Sequence, residues 1–344
     1  MTRVITSHDS KVVVTASMDG TIIIWDAQSG TIVQEWLAHR HAVYDLALSP
    51  DGKRLVSAGG LASQPLLVWD IDHDVRRAVA PEGPTESPAT CAWSLDGKSV
   101  ASASQDGTVR VWDSQTFQQR NLLEDPQAVS NPRQLQFSPD GRCLAWLSYS
   151  DITGCYVFGI WKHLPDECGK PFFSHSSEEV CISALSFDRE GRRVATAHGS
   201  SGGPIEDHVV RIWDVHTGDM VGVLAGHTKP VTGVSFFPNG RSVMSASSDG
   251  STKIWDTESG QEVATLVADG EEIITACLSA DGKYVATLLV GGNVRLWRTD
   301  DYSCTTFIEH QDNVMRIAFS PNGEFLVSGG DSGLVHIRRL SDFI

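Results

Sequence analysis

Tryptophan recurs along this chain at a spacing that a single-copy domain has no reason to keep. Trp25, Trp69, Trp112, Trp161, Trp213, Trp255 and Trp297 follow one another at 44, 43, 49, 52, 42 and 42 residues, and Arg338 stands 41 beyond the last. Five of the seven are followed by aspartate: Asp26, Asp70, Asp113, Asp214 and Asp256. A second marker precedes each. Turns of the type Ser-Pro-Asp-Gly end at Gly52, Gly141 and, with Asn for Asp, Gly323, with variants ending at Gly97, Gly191, Gly240 and Gly282. From turn glycine to tryptophan is 15 residues at Gly97–Trp112, Gly240–Trp255 and Gly282–Trp297; Ser10–Trp25 and Gly323–Arg338 keep the same 15. Two markers at a fixed distance, repeated at a period of 40 to 50, indicate a repeat architecture.

The most regular copy runs from Gly226 to Asp256. Val231–Phe237 alternates apolar and small residues, Pro238-Asn239-Gly240 turns the chain, Ser242–Ser247 forms a second run, Asp249-Gly250 a second turn, and Ser251–Trp255 a third run. Period-2 runs separated by Asn-Gly and Asp-Gly are hairpin signals. With Gly226-His227 before the first run and Trp255-Asp256 ending the third, the pattern resembles the WD-repeat (WD40) β-propeller family over nearly all 344 residues. The resemblance implies an all-β fold of radially arranged four-stranded blades. One such sheet cannot bury both its faces, so neighbours must cover it.

Counting copies predicts an eight-bladed propeller, a single domain over 1–344 with blades near 1–38, 39–80, 81–124, 125–174, 175–225, 226–268, 269–309 and 310–344. Inner strands are expected to start near Thr2, Ala42, Ala89, Arg133, Cys181, Val231, Ile273 and Val314. Outer strands are expected in blades one to seven, at Ile32–Leu37, Val221–Leu224 and Glu262–Val267 for example. Only Leu340–Ile344 follow Arg339, so the last blade is predicted three-stranded, with 31 strands in all. The alternative places Thr2–Thr6 on the outside of blade eight, as relatives that close the ring with their N-terminal strand do. Blades two, four and five carry insertions, at Gly59–Pro65, between Gly141 and Trp161 with a further loop at His163–Lys170, and at His198–Pro204; loops of this kind on a rigid scaffold serve binding. Residues 81–88 read as an exposed proline-rich connection.

The formal charge of −16, from 27 basic and 43 acidic residues, argues against nucleic acid and favours cationic or neutral partners. Seven scattered cysteines without a CxxC point to a reduced, cytoplasmic setting (the nucleus being the alternative), with Cys91, Cys143, Cys181 and Cys277 expected inside strands. Neither a signal-like N-terminus nor an apolar run of membrane-spanning length is present in the sequence. Asp70, Asp72 and Asp74 alternate as in a calcium loop but have Val75 where glycine is needed and Pro81 where glutamate is needed. His39-Arg40-His41 lacks a third ligand, and Gly199–Pro204 lacks the Lys-Ser/Thr of a phosphate loop. The expectation is no metal and no cofactor.

His227, Ser245, Asp249 and Trp255 look by type like a hydrolase triad with a neighbour. The family resemblance implies instead a structural tetrad of buried hydrogen bonds; a mid-strand serine offers neither an exposed nucleophile nor an oxyanion site. Partial sets are Thr15, Asp19 and Trp25; His39, Ser57 and Trp69; Ser102, Asp106 and Trp112; Thr196, Asp207 and Trp213; and His310 with Ser328, where Ser332 and Arg338 replace Asp and Trp. Positions that bind partners in relatives map here to Met18, Tyr44, Gln105, Arg133, Glu206, Ser248, Glu272, Asn313, Met315 and Asp331. The resemblance therefore implies a non-catalytic scaffold that docks a protein or peptide bearing cationic and apolar residues on its loop-rich face. The alternatives are self-association through an open edge of blade eight, and an enzyme with a site in the cleft of blades four and five.

Overall fold

The computed structural model describes residues 1–60, 66–71, 75–79, 88–124, 130–150, 155–162, 173–177, 181–199, 207–268, 270–308 and 314–343. The described residues contain 31 strands and one helical element, a three-residue 3-10 turn at Leu340–Asp342. The strands form eight antiparallel sheets in which sequence neighbours pair, seven of four strands and a last one of three. The fold is an eight-bladed β-propeller. Inner strands are Arg3–Thr6, Val43–Leu48, Pro88–Trp93, Ser130–Phe137, Ile182–Phe187, Val231–Phe236, Ile273–Leu278 and Val314–Phe319. The last blade adds only Phe325–Gly330 and Val335–Arg339. Contacts divide the chain into two compact units, Met1–Ser176 with blades one to four and Ser177–Ile344 with blades five to eight.

Arg3–Thr6 pairs with Val12–Ala16, so the N-terminal strand is the inner strand of blade one; its placement outside blade eight is ruled out. Cys181 lies one residue before its strand rather than inside it, because the ladder begins at Ile182 opposite His198.

Burial grades outward across a blade, and composition follows it. Second strands such as Ser99–Ser104 and Phe325–Gly330 are buried at every position. They are rich in Ala, Ser and Val, which fit a strand covered on both faces. Outer strands bury a single anchor: Trp36, Leu224 and Leu266 are 8%, 1% and 1% exposed while most flanking residues face solvent. Apolar residues of adjacent blades interdigitate. In the first unit Val14, Ile24 and Trp36 pack with Val43, Leu55 and Trp69, and the Trp36 and Trp69 rings stack at 4.8 Å. In the second unit Ala197, Val210 and Ile212 pack with Val231, Phe236 and Trp255. Within each unit blades are therefore the units of burial, each shielding the next.

Both sequence markers are hydrogen-bonded turns. In Ser49–Gly52 the Ser49 hydroxyl donates to Asp51 at 2.5 Å and accepts from the Arg54 amide at 2.9 Å, while Asp51 accepts from the Lys53 amide at 3.1 Å. Gly52 takes φ +72°, the left-handed conformation that favours glycine. Blade one has Ser10 there, at φ 59°. Asp26, Asp113, Asp214 and Asp256, each directly after a blade tryptophan, cap the turn to the outer strand. Amides of Thr116 and Gln115 hold the Asp113 carboxyl down to about 2.

Candidate functional site

A β-bulge recurs near the start of seven inner strands. The extra residues are Tyr44, Ala89, Arg133, Ser183, Thr232, Ile274 and Met315. A bulge takes one residue out of the alternating ladder and re-aims its side chain. Small hydroxyl residues use this to grip the next blade: Ser183 donates to the Val231 carbonyl at 2.6 Å and Thr232 to that of Ile273 at 3.2 Å. Thr2, preceding the first inner strand, does the same to Val43 at 2.6 Å. Tyr44, Ile274 and Met315 are 41%, 39% and 38% exposed, large apolar surfaces held out on a rigid backbone.

In the first unit, Met18 is 65% exposed, Tyr44 lies over Gly60, Gln105 is half-buried, and Arg133 is exposed with its guanidinium 5.5 Å from the centre of the Tyr156 ring. The next residue after Tyr44 is a buried anchor. Asp45 pairs with Arg3 of blade one at 2.9 Å and accepts from Thr90 and the Cys91 amide of blade three at 2.7 and 3.1 Å. In the second unit, Ser248 is half-buried and Met315 and Asp331 are exposed. Glu272 is exposed but already paired with Lys229 at 2.6 Å. Glu206 and Asn313 lie outside the described residues, as do residues 61–65, 151–154, 163–172 and 200–206 of the insertions, 80–87 of the proline-rich connection, His310, and Asp72 and Asp74. Ile274 escaped the sequence reading. Its signal is positional: it follows the first residue of an inner strand, as Tyr44 and Met315 do.

The tetrad residues form one continuous relay. Nδ1 of His227 is 2.9 Å from Asp249, Nε2 is 2.8 Å from the Ser245 hydroxyl, and the Trp255 indole donates to that hydroxyl at 2.8 Å. A carboxylate only accepts and an indole N–H only donates, so the proton sits on Nδ1 and Ser245 donates to Nε2. Burial pushes the Asp249 carboxyl up, but hydrogen bonds from His227, Ser251 and the Thr228 amide outweigh it and hold the group well below its ordinary value. Ser245 is fully buried, which gives a substrate no approach.

Other blades keep the core of this relay. The indole reaches Thr15, Ser57, Ser102 and Thr287 at 2.9, 3.0, 3.2 and 3.1 Å from Trp25, Trp69, Trp112 and Trp297. His39 reaches Ser57 at 2.8 Å. Blade five is rebuilt. Trp213 donates to Thr196 at 2.8 Å, but the histidine is His198 of the second strand, 2.7 Å from Thr196, and its Nδ1 faces Arg211 at 2.7 Å. Arg211 in turn pairs with Asp207. Arginine only donates, so Nδ1 must accept and the proton moves to Nε2, reversing the tautomer of His227. Blade four loses the relay: the residue at the Ser/Thr position is Trp146, and neither it nor Trp161 has a hydrogen-bond partner for its indole N–H among the described residues.

Repeated sheets of this topology, six of them closed by an indole-to-hydroxyl bond, define a repeat β-propeller. The chain belongs to the WD40 repeat family: the model described as WD domain, G-beta repeat matches residues 2–26, 30–61, 81–113, 166–214, 218–256 and 302–338. It is 28% identical over 251 residues to the serine-threonine kinase receptor-associated protein of Gallus gallus, covering 71% of this chain and 63% of that protein. It is 28% identical to transducin beta-like protein 2 of Homo sapiens, covering 65% and 49%. The chain thus spans less than two thirds of the length of these relatives. A computationally designed protein, Ika8, shares the fold at a TM-score of 0.79 and 24% identity, over 98% of this chain and 96% of that one. Among the described residues no helix is long and apolar enough to cross a membrane, and no group of three or more His, Cys, Asp or Glu is placed to hold a metal ion.

Proposed function

We propose that the chain is a non-catalytic scaffold that docks proteins or peptides on the bulged ends of its inner strands. The observation that carries this reading is the recurrence of the bulge, which sets Tyr44, Arg133, Ile274 and Met315 on rigid strands rather than on loops. Exposed aromatic, arginine and methionine side chains are the types that dominate interface energetics. Met18, Gln105, Ser248, Asp331, Glu206 and Asn313 belong to the same set by sequence position. Glu272 enters it as half of an ion pair, so a cationic partner must displace or join Lys229 there. A net charge of −16 supports a partner that presents Lys or Arg beside an apolar residue. One relative is named as a receptor-associated protein, a name that suits a binding role.

Panning a random-peptide display library on the purified chain tests this. Recovered peptides should be rich in basic and apolar residues. Against a Tyr44→Ala, Arg133→Glu variant with unchanged melting, or an Ile274→Ala, Met315→Ala variant, their affinity should fall by roughly tenfold or more, the loss of one hot-spot contact. Equal affinity for wild type and both variants rejects the surface.

A further inference from the structure

Among the described residues no strand covers the outer edge of the last blade, and the chain's own complete blades show what fits it. In an antiparallel ladder the backbone groups of alternate residues point to opposite sides. The Leu334 carbonyl accepts from Gly330 and the Leu340 amide donates to Glu324, so the even-numbered residues of this strand face the second strand. The N–H and C=O groups of Val335, Ile337 and Arg339 therefore point outward, and no described strand pairs with them. All but the last residue of Val335–Arg339 are half-buried and Arg339 is exposed, whereas Thr252 and Ile254, the blade-six counterparts of Val335 and Ile337, are 0% and 3% exposed beneath an outer strand.

Blade six supplies the template. Arg338 occupies the place of Trp255, since Leu326–Arg338 and Val243–Trp255 are the equivalent pairs. The outer strand of blade six sets Glu262 opposite Trp255 and buries Leu266 opposite Thr252. Transferred to blade eight, a carboxylate would face Arg338, whose buried Nε has no partner among the described residues, and a large apolar residue would cover Val335. A second copy of this chain fits poorly. Antiparallel pairing centred on Ile337 sets His336 against Arg338 twice and Val335 against Arg339, with no carboxylate on either strand.

We propose that this edge binds an extended segment of another protein by strand addition, with an acidic residue four positions before a large apolar one. This is a different surface from the bulged rim and does not depend on it.

The probe is a synthetic peptide of residues 261–268, Gln-Glu-Val-Ala-Thr-Leu-Val-Ala, mixed with the full 344-residue chain and read by amide hydrogen exchange. At about ten times Kd, exchange at Val335, Ile337 and Arg339 should slow about tenfold. Peptides with Glu262→Lys or Leu266→Ser should protect less. The Arg338→Glu chain should lose protection with the original peptide and regain it with the lysine one. If that variant melts early, the wild-type chain with the three peptides decides alone. Unchanged exchange at these amides, equal protection by all three peptides, or amides in the free chain already as slow as those of Val231–Phe236 would overturn the proposal. Protection that instead rises with protein concentration alone, alongside a dimer in light scattering, would overturn it in favour of self-pairing.

Discussion

The ring of Trp146 lies on that of Trp161 with centroids 3.6 Å apart and planes 21° from parallel. Trp146 stands where Ser245 stands in blade six, two residues beyond the partner of the blade tryptophan. A stacked indole has replaced a hydroxyl acceptor. Aromatic contact substitutes for the hydrogen bond, and the cost is two buried N–H groups without partners among the described residues.

That substitution makes Gly159 obligatory. Gly159 is the cross-strand partner of Trp146, and a Cβ there would lie 1.6 Å from the indole ring. Gly159→Ala should cost about 1–3 kcal/mol or more, the range for overpacking a core. Trp146→Ser should itself destabilise by about 3–5 kcal/mol through the cavity it leaves. In that background Gly159→Ala should be nearly neutral, so the two effects should not add. Urea unfolding of the four proteins measures this; additive losses would mean that the indole does not dictate the glycine.

The Asp249–His227 contact should make stability depend on acid. The folded Asp249 carboxyl is held below its ordinary value of 3.8, so its contribution is complete above that value. It fades as pH falls below 3.8 and is gone only once pH passes the lower folded value. Asp249→Ala should lower stability by about 1–3 kcal/mol at neutral pH, the penalty for orphaning buried donors, and flatten this part of the acid profile. Thermal melts from pH 6 downward check both; an unchanged midpoint contradicts the structural role.

Blade five should respond at a residue that no tetrad pattern names. Arg211→Leu removes the donor to His198 Nδ1 and strands Asp207. Its cost should be about 1–3 kcal/mol, well above that of the exposed Arg192→Leu. The imidazole proton of His198 should also leave Nε2 for Nδ1, visible as a change in ring 15N shifts. Equal costs for the two arginines would show that the rebuilt relay contributes nothing.

Period and turn chemistry carried most of the architecture into the sequence. The 15-residue interval from Gly240 to Trp255 is a turn, a strand, a turn and a strand that bring the indole to Ser245, and blades two and five keep the equivalent bond because their insertions fall in the second turn. Ser7–Ser10 showed in the same way that Arg3–Thr6 belongs inside blade one. What could not be read were replacements acting across strands. His198 lies in the strand that holds Thr196, outside the Gly-His position, so its role appears only when Arg211 is seen beside it. Trp146 reads as an intrusion until its register opposite Gly159 is known. Ile274 was hidden because a bulge shows no residue type of its own, only a place in the ladder.

Recognition by the outward-turned bulge residues can be tested in one spectrum, through the five methionines. Met315 turns out at a bulge, Met18 is exposed in a turn, Met220 is exposed on an outer strand, Met244 is fully buried, and Met1 marks the N-terminus. With 13C-methyl-methionine protein titrated by a peptide recovered from panning, the methyls of Met315 or Met18 should shift in proportion to binding while Met220 and Met244 stay fixed. Binding that moves Met220 and leaves both Met18 and Met315 unmoved would contradict the account.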